Sequence, residues 1–329
     1  MDLSTLAPTL QANYGLTAAL TPAPLAAEGH NNTLIGLDTP QGAYVLKLMA
    51  QAPQEAQQRE LRLLEQLSRQ HLPFKVAQPC RTLQGEWSVA LPPPDRRHLM
   101  VLPRLPGGRV PNQPDAWRQV GETLRSLHGA LAHLPAGAAP LPLDWTRPDL
   151  LHPAVLDPVA LAQQRPELWG GVERARTWAE HYRVARQMMA TRLAPLSRQL
   201  IHGDFNTPNL LFDHGRVTAV LDFEFASVAP PLLDVATALS EVLQDGPLPR
   251  WDLARALLDG YGPLSAAEQA ALPAALLARQ TAVGVWGLGQ ALEHGPTTTT
   301  LARLNALGQL LALIQTEAGQ LRTLTDTST

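Results

Sequence analysis

The chain has 329 residues, 45% of them hydrophobic and 17% charged, with a net charge of −3. That length suffices for two separate cores, the mild acidity and the lack of a basic run argue against a nucleic-acid partner, and the single cysteine, Cys80, excludes an internal disulfide. Residues 1–20 have neither the basic start nor the apolar block of a signal peptide, and no apolar run reaches membrane-spanning length. The expectation is a cytoplasmic protein with no membrane partner.

Residues 3–14 carry a weak helical pattern that ends before Pro22 and Pro24. Residues 29–37 and 43–48 then read as two strands joined by a Pro/Gly turn, with Asn31, Asn32 and Thr33 as short polar side chains in the first. In the second strand the side chains alternate, so Val45 and Lys47 share one face and Tyr44, Leu46 and Leu48 the other. Only Lys47 and Lys75 among the 26 basic side chains are lysines. A chain that uses arginine almost everywhere has thus placed a compact ammonium in mid-strand, a choice suited to phosphate oxygens in a tight site. A helix follows over residues 54–70, ended before Pro73. Ala56, Leu63, Leu64 and Leu67 form its apolar stripe, and Glu60 falls within that stripe. A buried carboxylate needs a partner, and Lys47 is the candidate.

Residues 87–91 and 98–102 read as another hairpin, after which Pro103 to Gly108 breaks all regular structure and marks a boundary. Beyond it the period becomes helical. Trp117, Val120, Leu124, Leu127 and Leu131 recur at steps of three and four, predicting a helix over 114–133 with His128 as a satisfied core histidine. Further helical patterns cover 158–164 and 172–193.

The stretch from Gln199 to Phe225 concentrates the chemistry. Short apolar runs at 200–201, 210–212 and 217–221 are strands, and His214-Gly215 is a hairpin turn. Asp204, Asn209 and Asp222 therefore sit at strand ends, a layout suited to divalent-metal and proton-transfer work. Asp234 falls in the first turn of the next helix, where a carboxylate can cap the helix or meet its dipole. Helical runs cover 272–292 and 301–321, and Trp286, Gln290 and Glu293 share a face of the first.

His202-Gly203-Asp204, Asn209 five residues later and Asp222-Phe223-Glu224 together resemble the catalytic and metal loops of the aminoglycoside phosphotransferase, choline kinase and homoserine kinase superfamily. The resemblance implies an α+β, two-lobed protein-kinase-like fold: a small antiparallel-sheet N-lobe with one helix over 1–103, a hinge at 104–108 and a mainly helical C-lobe over 109–329. It implies ATP and Mg2+ as cofactors and a small-molecule hydroxyl as acceptor, such as an aminoglycoside, an amino sugar or an amino alcohol like homoserine or choline. Asp204 would be catalytic, Asn209 and Asp222 would hold the metal, and Lys47 with Glu60 would meet the nucleotide phosphates. Asn31, Asn32 and Thr33 would cover those phosphates, in place of an absent G-x-G-x-x-G. Glu224, Trp286, Gln290 and Glu293 would face the acceptor, while His202 and Asp234 would brace the catalytic loop. Glu224, where protein kinases have glycine, favours small-molecule kinases over protein Ser/Thr kinases. An inactive nucleotide-binding module and a metal-dependent hydrolase using His202, Asp204 and Asp222 are the other readings, and oligomeric state is left open.

Overall fold

The computed structural model describes residues 6–17, 21–23, 33–49, 54–93, 95, 97–140, 143–147, 151–244, 246 and 248–325. Along the chain run α1 (Ala7–Tyr14), β1 (Thr21–Ala23), β2 (Thr33–Thr39), β3 (Gly42–Met49), α2 (Glu55–Ser68), β4 (Lys75–Val76), β5 (Val89–Ala90), β6 (His98–Pro103) and α3 (Pro114–Ala132). Then come α4 (Pro158–Gln164), α5 (Val172–Arg192), β7 (Gln199–Ile201), β8 (Leu210–Asp213), β9 (Arg216–Val220) and β10 (Ser227–Ala229). After these follow α6 (Leu232–Gln244), α7 (Trp251–Tyr261), α8 (Ala266–His294), α9 (Thr298–Thr316) and α10 (Ala318–Thr325).

These elements form two compact units. The first comprises Met1–Pro111, Ala138–Pro140 and Thr207–Glu224, and the second Asn112–Gly137, Leu141–Asn206 and Phe225–Thr329. In the first unit an antiparallel sheet has the order β1-β2-β3-β6-β5. Alternation along β3 sends Leu46 and Leu48 into a core with Leu37, Leu99 and Val101, which Leu6 and Leu10 close from the chain's first turns. Lys47 stands on the opposite face, paired with Met100 of β6. Leu61 of α2 packs on Met49 and Met100, so α2 lies over the face that bears Lys47. A separate sheet orders β4-β9-β8, and the β8–β9 hairpin turns at His214-Gly215, both with positive φ, the conformation a tight two-residue hairpin turn demands.

Among the described residues of the second unit, the antiparallel β7–β10 pair is the only strand pairing, and the other regular elements are helices. α3 buries the predicted stripe of Trp117, Val120, Leu124, Leu127 and Leu131. It crosses α7 with almost no side chain between the backbones: a Cβ added at Gly121 would come 2.0 Å from the Leu257 carbonyl oxygen, and one at Gly260 2.0 Å from that of Arg118. Only glycine permits this approach. α8 packs against α5, α6 and α9, and most of its residues are buried. No helix among the described residues is long and apolar enough to cross a membrane.

Candidate active site

In the first unit the polar groups gather at the open end of the β8–β9 hairpin. Leu210 pairs with Val220, and the Leu221 N–H donates to the Asn209 carbonyl at 2.8 Å, so Asn209 and Asp222 flank the same strand ends. Asp222 has a φ of 60°, a left-handed conformation that aspartate and asparagine tolerate better than other side-chain-bearing residues. Glu60 is buried and accepts a hydrogen bond from the Phe223 amide. Burial raises its pKa to about 7; the Lys47 charge opposes that rise, and the Asp222 and Glu224 carboxylates add to it.

The hard oxygen donors of Asn209 and Asp222 fit a divalent cation such as Mg2+. Mg2+ takes one or two protein carboxylates and completes its shell with water and phosphate oxygens. No cluster of three or more His, Cys, Asp or Glu side chains that could hold a metal ion lies among the described residues.

In the second unit Asp204 lies on a loop held from beneath by Asp234. The fully buried Asp234 carboxylate accepts the His202 N–H and the Gly203 N–H, each at 2.8 Å, and its Oδ2 lies 3.0 Å from His128 Nε2. Burial pushes the Asp234 pKa up, but the His128 hydrogen bond, the neighbouring histidine charges and the His202 amide outweigh it and bring the value below the ordinary carboxylate range. An ionised carboxylate only accepts, so His128 Nε2 carries a proton, and Nδ1 lies 3.0 Å from the Tyr261 hydroxyl. Gly203 has a φ of 81°, and a Cβ there would lie 2.2 Å from the Phe225 carbonyl oxygen, so the loop is pressed onto the start of the next segment. His202 is buried, with Nδ1 accepting the Asp204 N–H at 3.2 Å. Asp204 itself is half-buried, its Oδ1 accepting from Asn206 Nδ2 at 2.8 Å and Arg279 Nη2 at 3.0 Å.

The remaining expected site residues are spread more widely. Thr33 is exposed at the start of β2, and Asn31 and Asn32 lie outside the described residues. Trp286 and Gln290 are half-buried on one face of α8, where the Trp286 ring meets Phe225 and His152 edge-on at 5.6 Å and 5.2 Å. Glu293 is exposed beside His294. Sequence reasoning missed Arg279. Extending the Trp286–Gln290 face back by two helical turns reaches it, which was the available signal.

Residues 23–272 match the family model described as the phosphotransferase enzyme family. The chain belongs to that family. A homoserine kinase from Polaromonas naphthalenivorans (strain CJ2) is 29% identical over 268 residues, 79% of each chain. Among solved structures, a microcompartment-associated aminopropanol kinase superposes with a TM-score of 0.70 at 19% identity, covering 98% of this chain and 99% of that one. An amicoumacin kinase solved with AMP-PNP and Ca2+ gives 0.67 at 15% identity, covering 96% and 94%. The α+β fold expected from the catalytic block is thus the protein-kinase-like fold of these phosphotransferases. The protein is an enzyme of the small-molecule kinase kind, a phosphotransferase with an alcohol group as acceptor.

Proposed function

We propose that this phosphotransferase moves the γ-phosphoryl group of ATP onto the hydroxyl of a small molecule, with residues 1–103 as the nucleotide lobe, 104–108 as a hinge that meets the adenine and 109–329 carrying the acceptor. The observation that carries this reading is Asp204, a half-buried carboxylate on a loop immobilised by buried Asp234. Asp204 aligns the acceptor hydroxyl and takes its proton as the new oxygen–phosphorus bond forms and the bond to departing ADP breaks; the proton then passes to solvent. His202 and Asp234 keep that loop in place. Lys47, steadied by Glu60, binds the α- and β-phosphates, and the amides and side chains of Asn31, Asn32 and Thr33 cover them. Asn209 and Asp222 hold Mg2+, which when bound offsets the charge developing on the phosphate oxygens. Glu224, Trp286, Gln290 and Glu293 face the acceptor. A homoserine kinase and an aminopropanol kinase among the relatives support an acceptor of amino-alcohol size.

The test is ADP release from MgATP by the purified protein, screened against homoserine, choline, ethanolamine, sugars and aminoglycosides. Acceptor-stimulated release is expected for at least one small hydroxyl compound, and a failure to bind MgATP at all would overturn the reading. Asp222→Ala is expected to weaken nucleotide binding by about tenfold or more, roughly 1.4 kcal/mol, when Mg2+ is present and to change it little when Mg2+ is chelated. Calorimetric titration of nucleotide with and without the metal reads that difference, and equal losses under both conditions would count against Asp222 as a metal ligand.

A further inference from the structure

Two donors from different parts of the second unit meet one oxygen of Asp204. Asn206 Nδ2 donates to Oδ1 at 2.8 Å from the same loop, and Arg279 Nη2 donates to it at 3.0 Å from α8. The Asn206 contact comes with a penalty: its own Oδ1 is buried and meets no hydrogen-bond donor among the described residues. A buried amide oxygen without a donor is destabilising, and such exceptions gather where a side chain is held to a task. Arg279, in turn, rises from a rigid part of α8. The helix starts in a capping box of Ser265 and Glu268, and Leu276, Leu277, Ala278 and Ala282, on either side of Arg279, are at most 2% exposed. Its guanidinium therefore ties Asp204 to the packed helices of this unit. The ion pair itself does little for the fold, because both side chains are 21% exposed and water still reaches them. A contact of small value to stability falls on the one carboxylate whose direction matters to the reaction.

We propose that Arg279 is a positioning residue for Asp204, completing with Asn206 a two-donor clamp that sets the direction of the carboxylate towards the acceptor hydroxyl. Arg279 acts through Asp204 and not on the nucleotide. The inference rests on the phosphotransfer reading above, in which Asp204 takes the acceptor's proton. Without Arg279, Oδ1 loses its tie to α8 and keeps the one from its own loop, which moves with it. The carboxylate then samples orientations in which the hydroxyl is misaligned, and misplacement by about 1 Å can lower a rate by about a hundredfold.

The test is a double-mutant cycle on ADP release from MgATP, run with the best acceptor among homoserine, choline, ethanolamine, sugars and aminoglycosides. Arg279→Gln is expected to lower kcat by about ten- to a hundredfold, with the KM for MgATP within about twofold. In an Asp204→Asn background the same change is expected to alter kcat by less than about twofold, because no base is left to aim. The glutamine variant should melt within about 3 °C of the wild type. If it melts earlier, Arg279→Lys decides, since it keeps a charged donor on a flexible stem: a kcat above that of the glutamine variant upholds the clamp, and no gain overturns it. An Arg279→Gln rate within about threefold of the wild type, or losses that multiply across the cycle, overturn the proposal and leave the phosphotransfer reading standing. Full turnover in Asp204→Asn, or no turnover of any acceptor by the wild type, overturns that reading and the proposal with it.

Discussion

Asp204→Asn is expected to lower kcat by about three orders of magnitude while MgATP still binds, because a positioned general base contributes on the order of 10²–10⁴ in rate. The substitution is nearly isosteric. The amide oxygen can still accept from Asn206 and Arg279, the two donors that meet Asp204 Oδ1 at 2.8 Å and 3.0 Å, so the loop keeps its shape. What the amide lacks is the basicity to take the acceptor's proton. Steady-state turnover and nucleotide calorimetry on one preparation separate the two properties. Turnover within tenfold of the wild type would remove Asp204 from the chemistry, and loss of MgATP binding would show the variant to be damaged elsewhere.

Asp234→Ala is expected to cost about 3–5 kcal/mol, and on the order of 10 °C in melting temperature, because it strips a buried site of the charged acceptor on which three donors converge. The His202 and Gly203 amides and His128 Nε2 would all lose the partner they reach at 2.8–3.0 Å. Turnover should fall as well, since the same bonds position Asp204. The pH dependence follows from the direction of the shift. The folded-state pKa of Asp234 lies below its unfolded value, so the stability it contributes is present above the ordinary carboxylate range, near pH 4, and is lost as pH falls through the lowered folded value. The wild type should therefore lose stability on acidification through that window, and the alanine variant should lack this component of the loss. A variant that melts with the wild type at pH 7 would sink the clamp.

The parts of the site visible in the sequence were those written on short spacings. Asp204, Asn209 and Asp222 sit on one strand–turn–strand segment whose turn announces itself as His214-Gly215, and Glu60 stands out because a charge interrupts an otherwise apolar helical stripe. Asp234 could be read either as a helix cap or as a brace from its place in a first helical turn; its carboxylate in fact meets the His202 and Gly203 amides. Arg279 was missed, its only signal being that it continues the face of Trp286 and Gln290. It reaches Asp204 across 75 residues of chain, brought there by the packing of α8, and in a chain whose basic residues are nearly all arginine no single arginine attracts notice. The crossing of α3 and α7 at Gly121 and Gly260 was equally silent, since glycine within a helix ordinarily argues against the helix rather than for a contact between two backbones.

Lys47, half-buried on β3, and Lys75, exposed on β4, are the chain's whole complement of lysines. This leaves the protein with a built-in pair of chemical reporters. An acylating reagent meets one side-chain amine where the phosphates are proposed to lie and another in open solvent. Bound ATP should shield Lys47 from modification and leave Lys75 reacting at its usual rate, so peptide mass spectrometry could follow nucleotide occupancy with an internal reference and no engineered label.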